Sequence, residues 1–227
     1  LEVLEKRIMK LAKLAKSGSK EAKAEDEVLR RIKACLEEGK SARSLDLTED
    51  ELSLIREMNF LTLKPMLYVA NVAEDEAAKD GAGNAHVAAV RDYAAKEGSE
   101  VVVVSARVES EIAELDAEDA KSFLEELGLT ESGLDRLIKA AFELLGLLTF
   151  LTAGPDECRA WTIVRGTTAP KAAGKIHSDI ERGFIRAEIV NYDDLVAAGS
   201  TAAAREKGQV RLEGKDYVMQ DGDVTYF

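Results

Sequence analysis

Two short apolar runs, separated by a segment with helical periodicity, constrain the fold of this chain most. Residues 66–70 form the first run, and residues 101–104, four consecutive valines, form the second. Each run is short and apolar enough to be a buried strand, and a helix is predicted between them over residues 87–95. Strand, helix and strand in this order predict two parallel neighbours in one sheet.

The first 40 residues carry two apolar stripes at helical spacing. The stripes are separated by Ser17-Gly18-Ser19, where Gly18 can adopt a left-handed turn and Ser19 can cap a second helix. Two helices joined by so short a turn must pack antiparallel, so residues 1–46 are predicted to form a coiled-coil hairpin. The stripes comprise Leu1, Leu4, Ile8, Leu11 and Ala15, then Val28, Leu29, Ile32, Cys35 and Leu36.

The pattern changes to short strands after Gly146. Glycines separate these segments, and one helix is predicted within them at residues 171–182. This predicts a small α+β domain at 146–227, following an α/β segment at 47–145. Predicted strands lie at 148–152, 159–164, 183–190, 209–212, 215–219 and 224–227; predicted helices of the middle segment lie at 49–58, 117–127 and 134–145, with a loop at 74–84.

Composition narrows the classes of function. No apolar run is long enough to cross a bilayer and no charged-then-apolar leader opens the chain, so a cytoplasmic protein without membrane contact is expected. The only histidines, His86 and His177, make a histidine-based metal site an unfavoured interpretation, and Cys35 and Cys158 are expected to be reduced structural thiols. The net charge is −12, yet residues 1–40 carry a basic excess on which a polyanion could dock.

Polar residues follow both apolar runs, at the edge where parallel sheets bind ligands. Asn71-Val72-Ala73-Glu74 comes after the first run, and Ser105-Ala106 comes after the second. An Asn-x-x-acid sequence at a strand tip, with a Ser-Ala turn behind it, is typical of the purine-base site of a P-loop nucleotide switch. The alternative is an ordinary strand-to-helix turn. The predicted base-binding residues are Asn71, Val72, Ala73, Glu74, Ser105 and Ala106, with no catalytic or metal-binding residue.

Two other segments have the composition of a site. Gly174-Lys175 superficially matches a phosphate-binding loop, but Ala169 and Ile176 replace the first Gly and the Ser/Thr of Gly-x-x-x-x-Gly-Lys-Ser/Thr, which occurs nowhere in the sequence. An acidic cluster, Glu74-Asp75-Glu76 with Asp80, lacks the regular ligand spacing of a calcium loop and is predicted to be a solvated loop.

The similarity to one known family lies in stretches spread along the chain: residues 60–65, 68–72, 112–115, 123–128, 152–154, 159–163, 172–177 with Asp179, 183–187, 214–217 and 221–224. Together these stretches resemble the YchF-type ATPases of the Obg group of translation-factor GTPases. The resemblance implies a helical hairpin inserted at 1–46, the C-terminal part of a nucleotide-binding G domain at 47–145, and a ubiquitin-like β-grasp (TGS) domain at 146–227.

The resemblance also implies a function. Its members have Asn-x-x-Glu in place of Asn-Lys-x-Asp and accept ATP, with Mg²⁺, in preference to GTP. Asn71 is expected to bridge N7 and N6 of adenine, the bidentate contact that amides make to this base. Because the phosphate-binding loop is missing, this chain is expected to be the C-terminal portion of such an ATPase and to be inactive alone. The basic hairpin and the TGS domain would contact the ribosome or its RNA; the alternative is a non-catalytic module that binds ribosome, RNA or protein.

Overall fold

The chain divides into two compact units. The computed structural model describes residues 1–16, 18–154 and 157–227, so Ser17 of the predicted turn lies outside the described residues. One unit comprises Leu1–Ala70 and Lys79–Val103, and the other comprises Asn71–Ala78 and Val104–Phe227. These units group residues by contact, and the division into 1–46, 47–145 and 146–227 stays a prediction.

Helices dominate the chain up to the second apolar run. Single turns of 3₁₀ helix lie at Ala42–Ser44, Arg56–Met58 and Leu61–Leu63. The regular elements, in order, are α1 (Glu2–Lys16), α2 (Lys20–Glu37), α3 (Glu49–Leu54), β1 (Leu67–Asn71), α4 (Glu74–Ala77), α5 (Ala85–Glu97) and β2 (Glu100–Val104).

Helices α1 and α2 pack against each other through the predicted stripes. Gly18 has a φ of 97°, and the Ser19 hydroxyl accepts from Ala22 N–H, so the predicted cap of α2 is confirmed. Ion pairs from Glu5 to Lys33 and from Arg7 to Glu25 follow the order expected of antiparallel helices. The buried residues of this packing are Leu4, Ile8, Leu11, Ala22, Val28, Leu29 and Ile32.

The ends of β1 and β2 lie side by side. Val72 N–H, just past β1, donates to the carbonyl of Val104, the last residue of β2, at 2.9 Å. Because this bond joins the carboxyl ends of both strands, they run in the same direction, with α5 as the crossover. The predicted loop at 74–84 is wrong in its first part: Glu74–Ala77 forms α4, since the Glu76 carboxylate accepts from Ala73 N–H at the start of this turn.

The remaining elements alternate between helices and a mixed sheet. They are α6 (Ala106–Ile112), α7 (Ala117–Glu126), α8 (Gly133–Leu144), β3 (Leu147–Ala153), β4 (Cys158–Val164), α9 (Ala169–Ile176), α10 (Ser178–Gly183), β5 (Ala187–Asn191), α11 (Tyr192–Ala198), α12 (Thr201–Glu206), β6 (Arg211–Glu213) and β7 (Asp223–Tyr226). The mixed α/β character predicted from the sequence is confirmed.

Five strands form one sheet in the order β4-β3-β7-β5-β6. The central pair, β3 and β7, is parallel, and every other pair is antiparallel. Phe150, on β3, is fully buried and packs with Ile163, Ile189 and the alanines of α9. Only two residues join α8 to β3; Gly146 has a φ of 60° and its carbonyl accepts from Arg165 N–H at 2.7 Å.

Two predictions after residue 165 are wrong, and two helices lie where no element was predicted. Residues 215–219 are not a strand, because the buried Asp223 carboxylate accepts from Tyr217 O–H and Gln220 N–H, both at 2.9 Å, and holds them in a turn. The predicted helix at 171–182 breaks at His177, whose φ of −160° is extended and whose Nδ1 accepts from Asp179 N–H. Helices α11 and α12 occupy residues to which the sequence pattern assigned no structure.

No helix within residues 1–16, 18–154 and 157–227 is both long enough and apolar enough to cross a bilayer.

The Arg7–Glu25 pair should stabilise the packing of α1 on α2. Glu25 is 7% exposed, and both its oxygens accept from the Arg7 guanidinium, at 2.7 and 3.0 Å. Arg7→Ala leaves this carboxylate buried without a counterion, so we expect the free energy of unfolding to fall by about 1–3 kcal/mol. Urea denaturation measures the change. Lys6→Ala, which removes the exposed pair with Glu2, is the control and should leave stability unchanged; equal losses of stability in both variants would contradict the prediction.

Candidate nucleotide-base site

The predicted base-binding residues lie in one compact unit, at the ends of β1 and β2. Asn71 is the last residue of β1, and Ser105 follows the last residue of β2. The Asn71 side-chain oxygen accepts from Ala106 N–H at 3.0 Å. The structure therefore brings together Asn71 and the Ser105-Ala106 turn, although they are far apart in the sequence.

This hydrogen bond fixes which way the Asn71 amide faces. Because Ala106 N–H is a donor, the atom facing it is the oxygen, and the amide NH₂ of Asn71 points away from the turn. That NH₂ group has no hydrogen-bond partner in the described part of the chain, and Asn71 is exposed. The expected bidentate contact to adenine would require Oδ1 to accept a second hydrogen bond, for which an amide oxygen has a second lone pair.

Val72, Ala73 and Glu74 continue from Asn71 into α4. The N–H groups of Val72 and Ala73 are already bonded, to the Val104 carbonyl and the Glu76 carboxylate respectively. Glu74, the first residue of α4, is half-buried. In the described part of the chain the Glu74 carboxylate accepts no hydrogen bond, so it is available as an acceptor.

Arg107 adds a positive charge that the sequence pattern did not predict. Its guanidinium donates to Glu111 at 3.0 Å on the same helix. This hydrogen bond raises the pKa of Arg107, and the negative charge of Glu74 contributes a smaller part. The acid of the Asn-x-x-Glu sequence therefore lies within the electrostatic range of an arginine. One feature of the sequence indicates that Arg107 could belong to the site: it directly follows the Ser-Ala turn.

Ser105 is buried to 2% exposure, and its hydroxyl has no hydrogen-bond partner among the described residues. Its main-chain carbonyl accepts from Glu109 N–H at 3.0 Å, so Ser105 is the residue from which α6 begins. The side chain is therefore packed inside the protein and is not available as a direct contact to a base.

Glu109 is a second residue that the sequence analysis missed. Its two carboxylate oxygens accept from Gly133 N–H at 2.7 Å and from Leu134 N–H at 3.1 Å, at the start of α8. Helix α6, which begins at the Ser-Ala turn, is thereby joined to α8. No local sequence signal marks this contact, because its partners lie more than twenty residues away.

The two other candidate segments have structural roles. Gly174 lies on α9, where a Cβ atom would overlap the Glu181 carboxylate, so its glycine permits the close approach of α9 and α10. Glu74, Asp75 and Glu76 form the first turn of α4. In the parts of the chain that the structure describes, no group of three His, Cys, Asp or Glu side chains could hold a metal ion.

Comparison with known proteins finds similarity over the whole chain. Residues 147–227 match the family YchF-GTPase_C, described as a protein of unknown function (DUF933). The chain is 57% identical over 227 residues to the ribosome-binding ATPase YchF of Bacillus subtilis (strain 168), covering 100% of this chain and 62% of that protein. The protein of the same name from Escherichia coli O157:H7 is 49% identical, with 61% of its length covered.

A solved structure is also similar to this chain over nearly its whole length. The structure of the Schizosaccharomyces pombe YchF GTPase superimposes with a TM-score of 0.85 at 30% identity, covering 99% of this chain and 61% of that one. The chain spans about three fifths of the length of the relatives that it matches.

The buried Ser105 hydroxyl yields a stability prediction. Since it is buried without a partner, Ser105→Ala removes a desolvation cost, and we expect the free energy of unfolding to stay unchanged or to rise by up to about 1 kcal/mol. Ser132→Ala is the matched control: this serine is also buried, but its hydroxyl accepts from Asp135 N–H and caps α8, so its removal should cost about 1 kcal/mol. Thermal unfolding of both variants measures these changes in stability. A Ser105→Ala protein that is less stable than the wild type would contradict the prediction.

Proposed function

The chain belongs to the YchF family, and we propose that it carries the base-recognition edge of a nucleotide switch that binds and hydrolyses ATP, and GTP less well. The observation that supports this most directly is the hydrogen bond from Ala106 N–H to Asn71, which leaves an exposed amide NH₂ group at the strand ends. The phosphates and their Mg²⁺ would be held by a phosphate-binding loop that this sequence does not contain. The chain alone is therefore expected not to hydrolyse ATP.

The preference for adenine follows from which donors are free. The NH₂ group of Asn71 can donate to N7, an acceptor that adenine and guanine share. Guanine also presents the O6 acceptor, whereas adenine presents an amino group at N6. Because Ala106 N–H is already bonded to Asn71, it is not free to donate to O6. The Glu74 carboxylate, which accepts no hydrogen bond in the described part of the chain, suits the N6 amino group as an acceptor.

Glu74 weakens the guanine contact further. A carboxylate recognises guanine by accepting from N1–H and N2–H together, which requires one fixed position. The glutamate side chain is one methylene longer than aspartate, and Glu74 lies near the positive charge of Arg107. The longer side chain places the acceptor differently from that of aspartate, which supports ATP over GTP.

The domain assignment forms part of the same proposal. We assign residues 1–46 to a hairpin insertion, 47–145 to the C-terminal part of the nucleotide-binding domain and 146–227 to a TGS domain. The strand order β4-β3-β7-β5-β6, with a parallel central pair, supports a ubiquitin-like β-grasp fold. Cytoplasmic location and ribosome association are proposed from the names of relatives, which are called ribosome-binding ATPases.

An NMR titration tests the base site. Adenosine at millimolar concentration should shift the amide signals of residues 71–74 and 105–107, and guanosine should shift them less. Asn71→Ala should weaken the adenosine response about tenfold, because this change removes both the hydrogen bond to the base and the acceptor for Ala106 N–H.

Asn191→Ala provides the matched control for that titration. Asn191 also ends a strand and accepts from a backbone N–H, that of Asp193 at 2.9 Å, but at the start of α11. It should leave the adenosine response unchanged. Adenosine shifts that survive Asn71→Ala, or that fall outside the predicted residues, would overturn the base-site assignment.

A second candidate function is a non-catalytic module that binds ribosome or RNA, and the distribution of charge on α1 and α2 favours it. Lysines away from the turn are paired, as in Lys6–Glu2 and Lys33–Glu5. Near Gly18 they are exposed and form no ion pair among the described residues. These tip lysines are Lys10, Lys13, Lys16, Lys20 and Lys23. Five unpaired cations in one place suit a phosphate backbone.

Co-sedimentation with ribosomes at several salt concentrations tests the module. Binding should weaken as salt rises, and the double variant Lys13→Gln with Lys20→Gln should lower the salt slope by about 0.9 for each phosphate that is no longer neutralised. Lys6→Gln with Lys40→Gln removes the same charge from paired lysines and should leave the slope unchanged. Equal slopes for both double variants would exclude the tip lysines as the binding surface.

A further inference from the structure

We propose that Glu109 is a positioning residue for the base site: it fixes α6 to the start of α8 and thereby holds the Ser105-Ala106 turn in place. This inference rests on the proposed function, because the turn matters only where a base binds against it. Three observations support it: a two-oxygen contact, a close packing of glycine, and the shortness of α6.

The Glu109 carboxylate makes a contact with both oxygens. It accepts from the first two N–H groups of α8, Gly133 at 2.7 Å and Leu134 at 3.1 Å. N–H groups at the start of a helix have no partner within the helix, and the local dipole favours a negative charge there. Hydrogen bonds of this charged type are about twice as strong as neutral ones. The next N–H, that of Asp135, is satisfied by Ser132.

The residues around Gly133 are packed too closely for this contact to shift. A Cβ atom at this position would lie 3.0 Å from Glu109 Oε1 and 3.0 Å from Val104 Cγ1. Val104 is the last residue of β2, so the start of α8 presses against both the strand end and the glutamate. Alanine is normally the better helix former, and the close approach explains a glycine here.

Helix α6 needs an external anchor to keep its first turn in place. It has only seven residues, far fewer than an isolated helix needs for stability in water. Glu109 lies one helical turn after the Ser-Ala turn, and its N–H bonds to the Ser105 carbonyl. The start of α6 is therefore held by Asn71 on one side and by Glu109 on the other.

Helix α6 has one other carboxylate, Glu111, and in the described part of the chain it does not join α6 to α8. Its carboxylate bonds to Arg107 on the same helix; the Arg107 side chain is largely exposed and the Glu111 side chain is half-buried. Such a pair stabilises only the helix to which it belongs, and only weakly. Glu111→Gln is therefore the matched control, with the same change in charge on the same helix.

Site-resolved hydrogen exchange measured by NMR tests the proposal on the full chain. Glu109→Gln keeps one acceptor oxygen and loses the other, and Glu109→Ala loses both. The exchange rate of the Ala106 amide should rise about fivefold in the Gln variant and further in the Ala variant, with no change in Glu111→Gln. Gly133→Ala leaves both hydrogen-bonding groups present but displaces Glu109, and should also raise the Ala106 rate.

An adenosine titration of the same variants gives a readout that a purely structural role would not change. The proposal is supported if Glu109→Gln raises the Ala106 exchange rate and weakens the response to adenosine, and Glu111→Gln changes neither. If the Gly133 and Leu134 amides exchange faster while Ala106 does not, Glu109 only caps α8 and the proposal is overturned. It is equally overturned if Ala106 exchanges faster but adenosine binds as before.

Failure of the proposed function is distinguishable from failure of this inference. A wild-type chain that shows no adenosine response at all overturns the base site, and the positioning role falls with it. A wild-type response that persists unchanged in Glu109→Gln overturns the positioning role alone.

Discussion

One hydrogen bond, from Ala106 N–H to the Asn71 side chain, links the ends of two strands whose backbones are also bonded there, through Val72 N–H and the Val104 carbonyl. Without it, Asn71 would be an exposed polar residue at a strand end, and the Ser-Ala turn would be an ordinary helix start. With it, one amide has its oxygen turned inward and its NH₂ group turned outward. The chemistry proposed for the site follows from this single orientation.

Charged groups in this chain act in two ways, depending on burial. The buried carboxylates of Glu25 and Asp223 accept several hydrogen bonds each and hold neighbouring segments together. Exposed ion pairs such as Lys6–Glu2 add little to stability, but they neutralise lysines that would otherwise attract anions. The lysines near Gly18 therefore differ from the paired lysines of α1 and α2 in forming no ion pair within the described part of the chain.

Local features of the fold could be predicted from the sequence, and contacts between distant residues could not. The Ser19 cap of α2 was predicted, because it depends on a hydrogen bond between residues only three positions apart. The absence of a strand at 215–219 was not, since the buried Asp223 carboxylate determines it. For the site, the order of the two polar segments was predictable, whereas the inward turn of the Asn71 oxygen and the role of Glu109 depend on partners at least 24 residues away.

The two-residue junction between α8 and β3 restricts how this protein can change in evolution. Each residue added to a helix rotates the downstream chain by about 100°, so an insertion after Leu144 would turn the five-stranded sheet against α8. Gly146, with its left-handed backbone and its bond to Arg165, makes the junction intolerant of substitution as well as of length. Homologues should therefore keep this spacing fixed, while the exposed turn at Gly18 can lengthen or shorten freely.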